Sequence, residues 1–84
     1  MKKVSEQKSV RPLHVIAYEI KKDWGKKMYF GAVPYVEAMS VMDGIEERYI
    51  QDSGKEIVNR FLSNASTWRG EKAREIKKEL KGML

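Results

Sequence analysis

The sequence has 84 residues, no cysteine and a net charge of +5 at pH 7. This length predicts a single domain, and the lack of cysteine excludes disulfides, a thiolate nucleophile and zinc–thiolate sites. No apolar run approaches the ~20 residues of a membrane-spanning helix, and no apolar segment follows Lys2 and Lys3 as in a signal peptide. We therefore expect a cytoplasmic protein of a bacterial cell, without a membrane partner.

Charge is unevenly distributed along the chain. Residues 1–27 carry a net charge of +5, residues 28–54 a net charge of −4 and residues 55–84 a net charge of +4. Two basic segments thus flank an acidic middle. Such a basic surface attracts nucleic acid or an acidic protein, although solubility alone also explains it.

The first predicted helix covers residues 12–24. Residues 1–9 are polar and predict a flexible tail, after which Pro12 suits a helix start. Gly25 is a suitable C-terminal cap. The apolar stripe of this helix consists of Leu13, Ile16, Ala17, Ile20 and Trp24.

The second predicted helix, residues 34–50, is expected to be the buried centre of the fold. Pro34 again suits a first turn. The apolar residues that follow it cover an arc of roughly 220°, wider than the stripe of an ordinary surface helix, so we expect neighbours on more than one side. Just before it, Tyr29 and Phe30 predict a hydrophobic turn folded onto the helix start. The alternative is an exposed aromatic anchor for a partner.

The third and fourth helices are predicted at residues 54–65 and 68–81. Ser53 and Glu56 have the spacing of a capping box, and Thr67 can cap the last helix, which Gly82 would end. Together the pattern predicts an all-α, compact four-helix domain over residues 10–84. Its expected core consists of Ile16, Ile20, Val36, Met39, Met42, Ile57, Phe61, Leu62, Trp68, Ile76 and Leu80.

The polar face of the last helix separates its charges by sign. Glu71, Glu75 and Glu79 form one row at i,i+4 spacing, and Arg74 and Lys78, with Lys77 and Lys81, form basic rows beside it. Like charges at this spacing destabilise a helix, and the i,i+3 pairs Glu71–Arg74 and Glu75–Lys78 would offset part of that. This separation suggests that the basic rows meet a partner; the alternative is a solvated face. The candidate binding residues are Tyr29, Phe30, Arg69, Arg74, Lys77, Lys78 and Lys81.

The sequence lacks the motifs of common catalytic sites. Its six glycines are scattered singly, so no glycine-rich phosphate loop is present. His14 is the only histidine, and it does not lie in a nucleophile motif. A metal site is not expected either, because the sequence has no second histidine and no cysteine. We expect a non-enzymatic protein with no metal site and no cofactor.

Residues 57–80 also allow a helix-turn-helix-like interpretation. The last helix would then present Arg69, Lys72 and Arg74 to bases or phosphates. Against this, Glu71 and Glu75 would enter the groove and repel phosphate, and the turn lacks a central glycine. Direct nucleic-acid binding is therefore the alternative hypothesis.

Two segments resemble those of small phage and prophage proteins of Gram-positive bacteria. They are residues 27–35 (KMYFGAVPY) and residues 61–70 (FLSNASTWRG), and the likeness extends over residues 13–80. That group has no assigned activity, so no residue gains a role from it. The resemblance implies an accessory or anti-defence protein, such as an inhibitor of a CRISPR nuclease, that binds a host or phage protein or nucleoprotein. The oligomeric state is left open, and a structural oligomer is a third hypothesis.

Overall fold

Four α-helices make up most of residues 10–84, the part of the chain that this computed structural model describes. They are α1 (Leu13–Trp24), α2 (Val33–Met39), α3 (Gly54–Ser63) and α4 (Glu71–Met83). Two short 3-10 turns, Gly25–Lys27 and Phe30–Ala32, join α1 to α2. Strands β1 (Arg48–Tyr49) and β2 (Asp52–Ser53) form a small antiparallel hairpin before α3. The predicted mostly helical fold is confirmed, whereas the expected tail, residues 1–9, lies outside the described residues.

The helices form a ring in which each packs mainly on two neighbours. Helix α1 packs against α2 and α4, and α3 packs against the same two helices. The starts of α1 and α3 both bond to the segment after α2, so α2 runs antiparallel to each of them. The end of α4 shares a cavity of about 360 Å³ with the start of α1; Val10, Arg11, Asp43 and Met83 are among its lining residues.

One hydrophobic core fills this ring. Ten of the eleven predicted core residues are buried, and only Leu62 is half-buried at the edge. The core also takes in small side chains, such as Ala32 and Ala38, that let the short α2 approach its neighbours closely. Periodicity therefore identified the large core residues correctly.

The prediction of a central helix over residues 34–50 is wrong from residue 40 onward, because α2 ends at Met39. The Ser40 hydroxyl donates to the Glu37 carbonyl at 2.6 Å, a local bond that competes with helix continuation. The carbonyls of Met42 and Asp43 accept from the N–H groups of His14 and Leu13, both at 2.8 Å. These donors are unpaired within α1, since Pro12 supplies no side-chain cap. Helix α2 is thus one member of the ring.

The hairpin takes the place of the predicted last turns of that helix. Arg48 pairs with Ser53 and Tyr49 with Asp52, which leaves Ile50 and Gln51 as the two-residue loop. Ile50 is 84% exposed and has a φ of 60°. The apolar residues that were predicted to share one helix face therefore differ in burial, since Met42 is buried and Ile50 is exposed.

The third helix begins at residue 54 as predicted, whereas its end and both ends of the fourth helix differ from the prediction. The Ser53–Glu56 capping box is confirmed, with both of its hydrogen bonds at 3.2 Å. Helix α3 ends at Ser63, and α4 begins only at Glu71 because Gly70, at a φ of 113°, is not helical. Gly82 does not end α4, which continues to Met83.

Candidate functional site

The connection between α3 and α4 is held by a cluster of aromatic rings. Trp68 stacks on Trp24 with ring centroids 5.5 Å apart, and Phe61 meets both rings edge-on. The Trp68 indole N–H donates to the Asp23 carboxylate at 2.9 Å. Because the ring is buried and bonded, the backbone of residue 68 is fixed beside the start of α4.

Helix α4 buries Ala73, Ile76 and Leu80, and this sets the direction of its other side chains. The flank next to that buried stripe carries four cations, and together with Arg69 of the preceding connection we call them the basic strip. The basic strip consists of Arg69, Arg74, Lys77, Lys78 and Lys81. All are exposed except Lys77, which is half-buried.

The cations of the basic strip have no acidic partner among the described residues. No carboxylate of residues 10–84 lies within 4.0 Å of any of them. In particular, the expected pairs Glu71–Arg74 and Glu75–Lys78 are not formed. Their positive charges are consequently available to a partner.

Three members of the basic strip meet at one depression near the start of α4. Arg69, Arg74 and Lys77 line it, and its volume is about 260 Å³. The other lining residues are Ser66, Trp68, Gly70 and Ala73. Lys78 and Lys81 lie outside this lining, further along the helix.

Lys77 is held in place by a backbone contact. Its ammonium donates to the Trp68 carbonyl at 2.7 Å, which leaves two of its three N–H donors for other acceptors. Burial lowers the pKa of Lys77, and the positive charges of Lys81 and Arg69 lower it further. The depression therefore carries concentrated positive charge.

On the opposite flank of α4, Glu79 is bonded to Arg11, a residue that the sequence-based predictions did not include. Its guanidinium donates to Glu79 at 2.8 and 2.9 Å and to Glu19 at 2.8 and 3.1 Å. Hydrogen bonding to Glu79, then to Glu19, raises the pKa of Arg11, and its bond to Glu19 lowers the pKa of that carboxyl. Lys72 also approaches Glu19, at 4.0 Å. Arg11 and Glu79 are 68 positions apart, so no local spacing could have revealed this contact.

The aromatic turn lies at the same end of the ring as the start of α4. Phe30 is 79% exposed, and its ring centroid is 4.9 Å from that of Tyr29. A Cβ atom at Gly31 would be 2.6 Å from the Tyr29 ring and 2.9 Å from the Asn64 side chain. The aromatic turn therefore lies beside the end of α3, where the connection to α4 begins.

The α3–α4 pair lacks the geometry of a helix-turn-helix. The connection spans seven residues, 64–70, whereas the motif uses a turn of about three or four. Trp68 is buried in that connection, and Lys72 faces Glu19 on α1. Nucleic-acid binding by this chain would have to use the basic strip in another arrangement.

Residues 10–84 contain no group of three or more histidine, aspartate or glutamate side chains placed to hold a metal ion. None of the helices in this range has the length and apolar character that crossing a bilayer requires. Comparison with protein-family models, curated proteins and solved structures gave no match to the chain.

Proposed function

We propose that this is a non-enzymatic binding protein that docks on a negatively charged partner through the basic strip. The observation that carries the proposal is the contrast between the two flanks of α4. On one flank Glu79 is bonded to Arg11 and Lys72 approaches Glu19, whereas none of the five cations of the basic strip has a carboxylate within 4.0 Å in residues 10–84. Like charges one turn apart cost a few tenths of a kcal/mol each, and acidic groups of a partner would offset that cost.

Tyr29 and Phe30 would supply the apolar part of the interface. Aromatic side chains often contribute most of the binding energy when a partner buries them. Phe30 is 79% exposed, so a partner that covered it would bury most of its side chain, and the neighbouring Gly31 lies beside Asn64 at the end of α3. The docking surface would therefore combine an aromatic contact with a row of cations.

The resemblance to phage and prophage proteins suggests the setting of this interaction. It favours a host protein or nucleoprotein in the cytoplasm of an infected bacterial cell as the partner. Anti-defence activity, with inhibition of a CRISPR nuclease as its most concrete form, follows from that setting. A protein partner can present complementary charges to both the basic strip and the neighbouring Glu71 and Glu75.

A pull-down from bacterial host lysate with charge-reversed variants tests the proposal. The double variant Arg74→Glu/Lys78→Glu should lose a host protein that the wild-type chain captures. The matched control, Arg48→Glu/Lys55→Glu, changes two exposed cations outside the basic strip and should retain it. Equal capture by both double variants, or no captured protein together with no inhibition of a CRISPR nuclease, would contradict the proposal.

Direct nucleic-acid binding is the second candidate, and it is favoured by the row of cations that have no acidic partner within residues 10–84. Phosphate contacts by several of these cations would make the affinity fall steeply with salt, because binding releases counterions. Fluorescence anisotropy of labelled duplex and single-stranded DNA, measured from about 50 to 200 mM salt, shows this directly. Unchanged anisotropy at the lowest salt concentration would exclude this candidate.

A further inference from the structure

The depression at the start of α4 has the composition of an oxyanion site. Seven residues line it, three of them are cationic and none is acidic. Among the polar side chains, the guanidinium groups of Arg69 and Arg74 and the ammonium of Lys77 can only donate hydrogen bonds, and the Ser66 hydroxyl can donate one. A ligand that only accepts hydrogen bonds therefore fits this lining.

The amount of charge distinguishes between the common biological anions. A carboxylate carries one negative charge, whereas a phosphate monoester carries about 1.5 to 2 at neutral pH. Three cations around one depression are better balanced by the larger charge. Planar guanidinium groups also match phosphate oxygens with two parallel hydrogen bonds.

The size of the depression limits how much of a ligand it can hold. Its volume of about 260 Å³ is below the ~300–1,000 Å³ typical of pockets for drug-sized molecules. The site suits one charged group and leaves the remainder of the ligand outside. Its floor is rigid, because Trp68 is stacked on Trp24 and bonded to Asp23.

We propose that this depression binds a single phosphate monoester group, held by Arg69, Arg74 and Lys77. The inference rests on the proposed function in that it assigns a ligand class to one end of the basic strip. Lys77 is already positioned by the Trp68 carbonyl, and its two remaining N–H donors are free to reach the phosphate oxygens. Lys78 and Lys81, outside the depression, would contact other parts of the same partner.

Titration of the isotopically labelled full chain with inorganic phosphate, followed by NMR at constant low ionic strength, tests the site. We expect saturable shifts concentrated in the amides of residues 66–77, with chloride as the reference anion. Arg74→Gln and Lys77→Gln should each weaken phosphate binding about tenfold, which is about 1.4 kcal/mol. The control Arg48→Gln removes an exposed cation elsewhere and should leave the affinity unchanged.

A second readout follows the Lys77 side chain itself. A bound dianion stabilises the ammonium, so the pKa of Lys77 should rise when phosphate is present. Shifts that do not saturate, equal weakening by Arg48→Gln, or an unchanged Lys77 titration would each overturn the phosphate site. An oligonucleotide with and without a 5′ phosphate, beside a nucleoside monophosphate, shows whether the phosphate comes from a nucleic-acid end or a free nucleotide.

The variant Lys78→Glu/Lys81→Glu separates this inference from the proposed function. It alters the basic strip outside the depression, so it should lose partner capture and keep saturable phosphate binding, with the affinity reduced only by the reversed charge near Lys77. Lost capture without any phosphate binding by the wild-type chain would refute the phosphate site alone. Specific phosphate binding with capture unaffected by any variant of the basic strip would refute the docking function alone.

Discussion

At the scale of single residues, Gly54 and Gly82 differ in the space available for a larger side chain. A Cβ atom at Gly54 would be 2.6 Å from the Ile45 Cα, a backbone atom that cannot move aside cheaply. Gly82, inside α4, has nothing within 4 Å among the described residues. We expect Gly54→Ala to lower the free energy of unfolding by more than about 2 kcal/mol, as overpacking does. Gly82→Ala should raise it by about 0.4–1 kcal/mol. Urea denaturation of both variants measures this pair, and equal effects would contradict the packing described for Gly54.

The Arg11 contacts predict a stability that depends on pH. Glu19 has a folded-state pKa below its ordinary value, so its ion pair stabilises the protein above the unfolded carboxyl pKa of about 4.3. This contribution disappears as the pH falls through the lower, folded-state pKa. Because the pair is partly exposed, solvent screening limits its contribution to about 1 kcal/mol.

Glu19→Gln should therefore be less stable than wild type at pH 7 and nearly equal to it in strong acid. Urea denaturation across this pH range provides the measurement. The control Glu75→Gln removes a carboxylate that pairs with no cation in the described range and should show no such convergence. A Glu19→Gln deficit that persists undiminished in acid would contradict the proposed linkage.

At the scale of elements, the hairpin contains a residue poorly suited to its backbone. Ile50 is β-branched, is mostly exposed and lies in the left-handed region, which costs roughly 1–2 kcal/mol for such a residue. Tight two-residue hairpins favour glycine at positions of positive φ. We expect Ile50→Gly to raise the free energy of unfolding by about 1 kcal/mol, measured by thermal and urea unfolding. Gln51→Gly, at the neighbouring loop position without a positive φ, should lower it, and the reverse order would contradict the turn geometry.

Elements with local signals were predictable, and those set by distant contacts were not. Helix α1 has one apolar stripe with a terminal glycine, and the start of α3 has a capping box, so sequence spacing located both within one or two residues. Residues 40–50 have equally strong apolar spacing, yet they are not helical. The carbonyls of Met42 and Asp43 bond to the start of α1, some thirty positions away in sequence, and no window along the chain contains that information.

At the scale of the whole molecule, local spacing predicted the cations of the candidate site but not the long-range contacts around them. The row of cations on α4 follows from i,i+4 spacing and was identified from the sequence. What sets the basic strip apart is that Glu79, on the opposite flank, is bonded to Arg11, which precedes α1, whereas the strip's own cations have no carboxylate within 4.0 Å in residues 10–84. The depression likewise depends on where Trp68 places its carbonyl, which is determined by stacking on Trp24.

The cavity shared by the start of α1 and the end of α4 shows that the helices could be connected in a different sequence order. Val10 and Met83 both line it, so the two ends of the described chain lie on one side of the ring. A short linker could join them, and the chain could instead be opened between Ile50 and Gln51, in the exposed loop of the hairpin. We expect such a circular permutant to form the same ring of four helices. The arrangement of the helices would then not depend on the present order of the chain.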